Sequence, residues 1–198
     1  KDYNIDLDIH VFLKIYKPLN LKFWRLYREE KISKENLRYQ RLKDAFDAVN
    51  YTVSDALIHT LADKYIAFLP LFDNVFEGTF EILEYLKTKY QLHIITNGFE
   101  EVQSLKMKSA NLSSYFNKIV TSESVGVKKP NPRVFEHALK IAGANKENSI
   151  MIGDSIEADI LGAVNFGMPA IYCDFDNKPL ESEAYKSITS LLQLKQYL

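Results

Sequence analysis

Ile150-Met151-Ile152-Gly153-Asp154-Ser155-Ile156-Glu157-Ala158-Asp159 reads as an apolar strand that runs straight into Gly-Asp, with a second Asp five residues on. A strand that is continuously apolar, rather than alternating, belongs to a parallel sheet covered on both faces. A carboxylate emerging from such a strand is costly unless something cationic pairs with it. Mg²⁺ answers that need, since it prefers a few carboxylates together with waters and phosphate oxygens. Asp154 is therefore the candidate metal ligand. Asp159, about one turn into the following helix, is placed to back up the site.

Outward from this stretch the same pattern repeats. Thr79 to Lys89 reads as helix, Leu92 to Thr96 as strand, Glu100 to Ala110 as helix and Lys118 to Val120 as strand. Asn131 to Ala142 is helix, Ser149 to Gly153 strand, Ile156 to Phe166 helix, Pro169 to Cys173 strand, and Ser190 to Leu198 a closing helix. Alternation of this kind predicts an α/β unit with a Rossmann-like parallel sheet. Before Pro70 the composition differs: all seven glycines follow it, and the residues ahead of it read as helix after helix. Phe12, Tyr16, Leu19 and Phe23 recur at helical spacing, continued by Trp24 and Tyr27, with Pro18 expected to break or kink the run. Ser33 reads as an N-cap for a helix through Leu37, Arg41 and Ala45. Ser54 caps another, with Leu57, Leu61, Tyr65 and Phe68 on one face. The expected organisation is a helical-bundle module over residues 1–72 and an α/β core over 73–198.

The chain has 198 residues, 46% of them hydrophobic and 26% charged, which suits a folded globular protein and excludes a disordered one. Lys+Arg 25 against Asp+Glu 26 gives a net charge of -1, so nucleic acid and anionic membrane are not expected partners. Cys173, the single cysteine, excludes an intrachain disulfide and a cysteine-based zinc site. No apolar run approaches the ~20 residues of a membrane span and no signal-peptide pattern is visible, so the expected compartment is the cytoplasm, as monomer or homodimer.

Ligands of open parallel sheets bind at the carboxyl ends of the strands. Thr96-Asn97-Gly98 places a hydroxyl at a strand tip followed by a turn with open backbone amides, which suits an anion such as phosphate. In Gly126-Val127-Lys128-Lys129-Pro130-Asn131-Pro132, Lys129 precedes a proline and is held in an extended backbone at a helix entrance. A point charge there neutralises a phosphate and a carboxylate together. Asp174 and Asp176 also follow a strand and read as a solvated turn. His93 reads as a hydrogen-bonded core histidine and Cys173 as a small buried hydrophobe. His10, His59, His93 and His137 share no metal-ligand spacing. Lys14, Lys17, Lys22, Arg25 and Arg28 read as a solvated helix face.

A hydroxyl, a lysine and an acid pair, each after a strand and in that order, resemble the haloacid dehalogenase (HAD) superfamily of aspartate-nucleophile hydrolases. Thr96 matches its second motif, Lys129 before Pro its third, and Gly153-Asp154 with Asp159 its fourth. The resemblance extends from about Phe12 to Leu198, and the helical part resembles the cap inserted in one branch. Leu26-Tyr27-Arg28-Glu29-Glu30-Lys31-Ile32-Ser33 and Thr96-Asn97-Gly98-Phe99 resemble the pyrimidine 5'-nucleotidase group of YjjG type. The resemblance implies a Mg²⁺-dependent phosphomonoester hydrolase working through an aspartyl phosphate. Thr96 with Asn97 and Gly98 would hold the phosphoryl oxygens, Lys129 would stabilise charge, Asp154 would ligate Mg²⁺, and Asp159 would orient a metal-bound water or Lys129. The substrate implied is a small phosphorylated metabolite, with nucleoside monophosphates the leading class.

The family's first motif, a strand ending in Asp-x-Asp, has one superficial counterpart in Asp6-Leu7-Asp8-Ile9-His10. The residues before it are too polar for a central strand, and His10 stands where the family has Thr or Val. Asp6 and Asp8 are therefore expected in the linker or helical part. A degenerate first motif is the alternative. The nucleophile, with the central strand that carries it, is expected upstream of Lys1. Two rival functions remain: a metal-independent 2-haloacid dehalogenase, against which the Asp154–Asp159 pair argues, and an inactive HAD-like binding scaffold.

Overall fold

A computed structural model describes residues 3, 5–175 and 185–198; the chain divides into two compact units, residues 1–69 and 70–198. The first consists of α1 (Ile9–Arg28), α2 (Lys34–Ala48) and α3 (Asp55–Phe68). Each begins where a short polar side chain takes up a free amide of the first turn. Asp8 accepts from the His10 amide at 2.7 Å, Ser33 from Asn36 at 3.1 Å and Ser54 from Leu57 at 3.3 Å. Asp8 is thus a helix cap. The Asp6 amide donates to the Tyr51 hydroxyl at 3.0 Å, and no strand occurs over residues 5–8.

The core of this unit is Tyr16, Leu42, Ala45, Phe46, Ile58 and Ala62, with Phe12 and Leu19 packed against it. Contrary to expectation, α1 runs unbroken through Pro18. An interior proline costs about 3 kcal/mol. Tyr16, Phe23 and Tyr27 on either side of it bury on one stripe, and keeping that stripe whole offsets the loss. On α3 the packed stripe lies one residue further round than expected. Ile58 and Ala62 are buried, Leu57 and Leu61 are half-buried, and Tyr65 and Phe68 are exposed.

The second unit runs α4 (Thr79–Leu86), β1 (His93–Thr96), α5 (Glu100–Ser109), β2 (Lys118–Thr121), α6 (Ser122–Val125), α7 (Pro132–Ala142), β3 (Met151–Gly153), α8 (Leu161–Phe166), β4 (Ala170–Cys173) and β5 (Lys186–Ile188). One π-helical turn, Ile156–Ile160, leads into α8 where a plain helix was expected, and the C-terminal helix is a 3₁₀ segment, Leu191–Gln196. All strands pair in parallel: β1 with β2 (Ile95 opposite Val120), β3 with β4 (Ile152 opposite Ile171) and β4 with β5 (Tyr172 opposite Ser187).

The single sheet expected from the alternation is divided in two, β1-β2 and β3-β4-β5. The division does not separate the cores. Ile95 of β1 and Met151 of β3 share one cluster with Phe135, Ile160 and Ala163. Leu92, just before β1, and Ile152 of β3 share a second with Ile82, Leu86 and Leu194 on the other face. The two sheets therefore lie between the same helical layers, and β1 and β3 each have one edge without a strand partner among the described residues. Strand edges inside a domain leave backbone groups unpaired, at roughly 1–3 kcal/mol for each one buried.

Candidate functional site at the strand tips

Lys129 is the centre of the site. It follows the turn after α6 and precedes Pro130 through a cis peptide bond. Asn97, just beyond the tip of β1, clamps its backbone on both sides. Asn97 Oδ1 accepts from the Lys129 amide at 2.8 Å, and Asn97 Nδ2 donates to the Lys129 carbonyl at 2.9 Å. The side chain is not a solvated loop lysine. Lys129 Nζ donates to the Ile95 carbonyl at 2.7 Å and meets Asp159 Oδ1 at 2.6 Å, and both side chains of this ion pair are only 7% exposed. A pair this dry holds only when each charge has its partner, because either one alone would be an uncompensated buried ion.

Asp159 is positioned by the π-helical turn. Its Oδ2 accepts from the Ser155 amide at 3.1 Å, while Oδ1 faces the ammonium. Gly153 makes room for it: a Cβ there would lie 2.4 Å from Asp159 Oδ2 and 2.6 Å from its Cγ. Glycine at this strand end is thus a matter of space. Asp154 follows at the tip of β3 and is exposed. It also reaches the adjacent strand. The Cys173 thiol at the end of β4 is pushed up to about 12, first by burial and then by the negative charges of Asp154 and Asp159. The thiol is a buried, protonated group, as expected for a structural cysteine.

Thr96 lies at the tip of β1, directly after the carbonyl that Lys129 holds. Its Oγ1 accepts from the Gly98 amide at 2.9 Å, closing the turn. The first amide of α5, at Glu100, is taken by Glu123 Oε2 at 3.3 Å. The amides expected to be open here are thus partly engaged. Thr96, Asn97, Lys129 and Asp159 form one connected cluster, and the field of Asp154 meets that of Asp159 at Cys173.

Two expectations fail. Asp174 is buried rather than solvated, with its amide donating to the Ile188 carbonyl at 2.8 Å, because β5 pairs alongside β4 and encloses the strand end. Asp176 lies outside the described residues. His93 is half-buried at the opposite end of β1, and its Nδ1 has no hydrogen-bond partner among the described residues. Burial, then the charge of the neighbouring Lys118, holds its pKa below the usual histidine value. The clamping role of the Asn97 side chain was not visible in sequence. Its only signal there was its place directly after a strand-tip hydroxyl.

No group of three or more His, Cys, Asp or Glu able to enclose a metal occurs among the described residues. Two carboxylates would be available to a cation at this end of the sheet: Asp154, which is exposed, and Asp159, already committed to Lys129. Mg²⁺ completes its shell with water and substrate oxygens, so a single open carboxylate fits that ion better than one that requires a full protein cage.

Comparison with known proteins gives the chain its relatives. Over its full length the chain is 29% identical to pyrimidine 5'-nucleotidase YjjG of Escherichia coli, covering 86% of that protein. It is 31% identical to pyrimidine 5'-nucleotidase PynA of Streptococcus pneumoniae over 83% of this chain and 69% of that one. The magnesium-bound crystal structure of the HAD-hydrolase YfnB of Bacillus subtilis superposes with a TM-score of 0.87 at 27% identity, over 99% of this chain and 85% of that one. The sequence profile of the haloacid dehalogenase-like hydrolases matches residues 6–173, and with the lysine–aspartate pair seated at the strand tips the chain belongs to that family of enzymes.

Proposed function

We propose that this hydrolase cleaves small phosphomonoesters with Mg²⁺, pyrimidine nucleoside 5'-monophosphates being the leading substrates. The observation that carries the reading is the buried Lys129 ammonium, fixed between the Ile95 carbonyl and Asp159 one residue before the Thr96 hydroxyl. A fixed cation at the tips of parallel strands neutralises charge on a transferring phosphoryl group without reorganising during the reaction. In this reading Thr96 donates its hydroxyl to a phosphoryl oxygen, with support from Asn97 and Gly98. Lys129 balances the charge on nucleophile and phosphate, and Asp159 holds Lys129 in place. Asp154 would hold Mg²⁺, which when bound supplies charge neutralisation and orients the phosphate. The helical unit would serve as the substrate-selecting cap.

The attacking group is an aspartate on a strand that enters between β1 and β3, supplied from outside these 198 residues. Two facing layers of core, with edges on β1 and β3 that have no strand partner among the described residues, support that placement. Its carboxylate would attack phosphorus in line as the ester P–O bond breaks, and water would then cleave the aspartyl phosphate. The nucleotide preference rests on the activities named for YjjG and PynA.

The test is phosphate release from pyrimidine and purine nucleoside 5'-monophosphates, with Mg²⁺ or with EDTA. It compares the 198-residue chain with one extended upstream, with a 2-haloacid as control substrate. Turnover of pyrimidine nucleotides by the longer chain, abolished by EDTA, is the expected result. Halide release that survives EDTA would replace the reading with a dehalogenase, and no turnover by either chain would replace it with a binding scaffold.

A further inference from the structure

The helical unit contains a second unusual cation. Arg41 stands on the buried stripe of α2 between Leu37 and Ala45 and is 1% exposed. A buried guanidinium is normally paired with a carboxylate, because taking a charge out of water is costly otherwise. Arg41 has no ion pair among the described residues. Nη1 donates to Asn20 Oδ1 at 2.9 Å, and the Tyr65 ring lies 4.5 Å from the guanidinium carbon. Nε and Nη2 are buried without a hydrogen-bond acceptor. These two nitrogens form the side-on fork with which arginine grips two oxygens of one anion. The Tyr16 hydroxyl is likewise buried, has no partner at full hydrogen-bond geometry among the described residues, and sits against the Tyr65 hydroxyl, close enough to Arg41 to feel its charge.

We propose that this fork is an anion site, separate from the strand-tip cluster, that takes a small carboxylate. The carboxylate oxygens accept from Arg41 Nε and Nη2, and the Tyr16 hydroxyl is a further donor. Arg41 is 1% exposed, and Leu37 and Ala45, one turn away on either side along α2, are fully buried, so only a small ion suits the fork. A planar carboxylate also matches the fork in shape, which chloride, a single acceptor, does not. Tyr65, 37% exposed, lies over one face of the guanidinium.

Formate is the probe, titrated into ¹⁵N-labelled protein with sodium chloride keeping the ionic strength constant. The arginine Nε–H resonance that disappears in Arg41→Met should shift saturably. Formate should also raise the melting temperature of the wild type above the chloride control and leave that of Arg41→Met unchanged. Tyr16→Phe, which keeps Arg41 and its packing, should bind formate several-fold more weakly, so the inference remains testable if Arg41→Met does not fold. An Arg41 resonance unmoved by formate would overturn the proposal, as would equal thermal gain in wild type and Arg41→Met. A resonance moved by inorganic phosphate but not by formate would overturn the carboxylate assignment. None of these readouts depends on turnover, so their failure leaves the phosphatase reading intact, and the reverse also holds.

Discussion

The Lys129–Asp159 pair sets the behaviour of the strand-tip cluster. With both side chains 7% exposed, removing either one strands the other as a buried ion, a loss of roughly 3–5 kcal/mol. Lys129→Met and Asp159→Leu should each destabilise the α/β unit by about that amount in chemical denaturation. The double variant should lose clearly less than the sum, because it leaves no orphan charge. Gly153→Ala should cost about 1–3 kcal/mol, since its Cβ would lie 2.4 Å from Asp159 Oδ2 and the acid would have to move off its lysine. Cys173 gives a check on the local field. With its thiol pushed up to about 12, it should resist an aromatic disulfide reagent at neutral pH in the native state and react only on unfolding. Asp154→Asn removes one of the two acids that raise it and should bring its pKa down.

At the scale of elements, the two sheets carry the prediction. The edges of β1 and β3 that lack a partner among the described residues should exchange amide hydrogens quickly in the 198-residue chain and become protected once a strand is supplied between them. Equal protection in short and long chains would contradict the strand-insertion reading. Helix starts were legible in sequence because capping is local. Ser33 and Ser54 need only a free amide three residues on, and both have it. Ser54→Ala should accordingly lower the stability of the helical unit by about 1 kcal/mol in its far-ultraviolet melting transition. What failed was set by partners distant in sequence. Lys186-Ser187-Ile188 has a single apolar residue and becomes β5 only because β4 pairs with it, and the same pairing buries Asp174. Pro18 remains inside α1 because the aromatic stripe around it packs as one surface, which a local rule about proline does not weigh.

For the whole molecule, the α/β class and the family were readable from a few residues. Thr96 and Gly153-Asp154 stand at strand ends, which are recognised by where apolar runs stop, and Lys129 is marked by the proline that follows it at a helix entrance. Two things were not readable there. One was the Asn97 clamp on Lys129, which depends on two loops meeting. The other was the burial of Arg41, which occupies an ordinary helical position along the chain. The phosphatase account makes one demand on the molecule as a whole: a fixed ammonium at the strand tips must balance the charge of the transferring group. The direct measurement is the initial rate of phosphate release from a pyrimidine nucleoside 5'-monophosphate. It uses the upstream-extended protein, wild type against Lys129→Met, with the folded fraction of each checked by circular dichroism. The account predicts that kcat falls by about 10²–10³ in the folded variant, the loss typical of removing a preorganised electrostatic group. A variant that is folded and hydrolyses the nucleotide within a few-fold of the wild-type rate would contradict it.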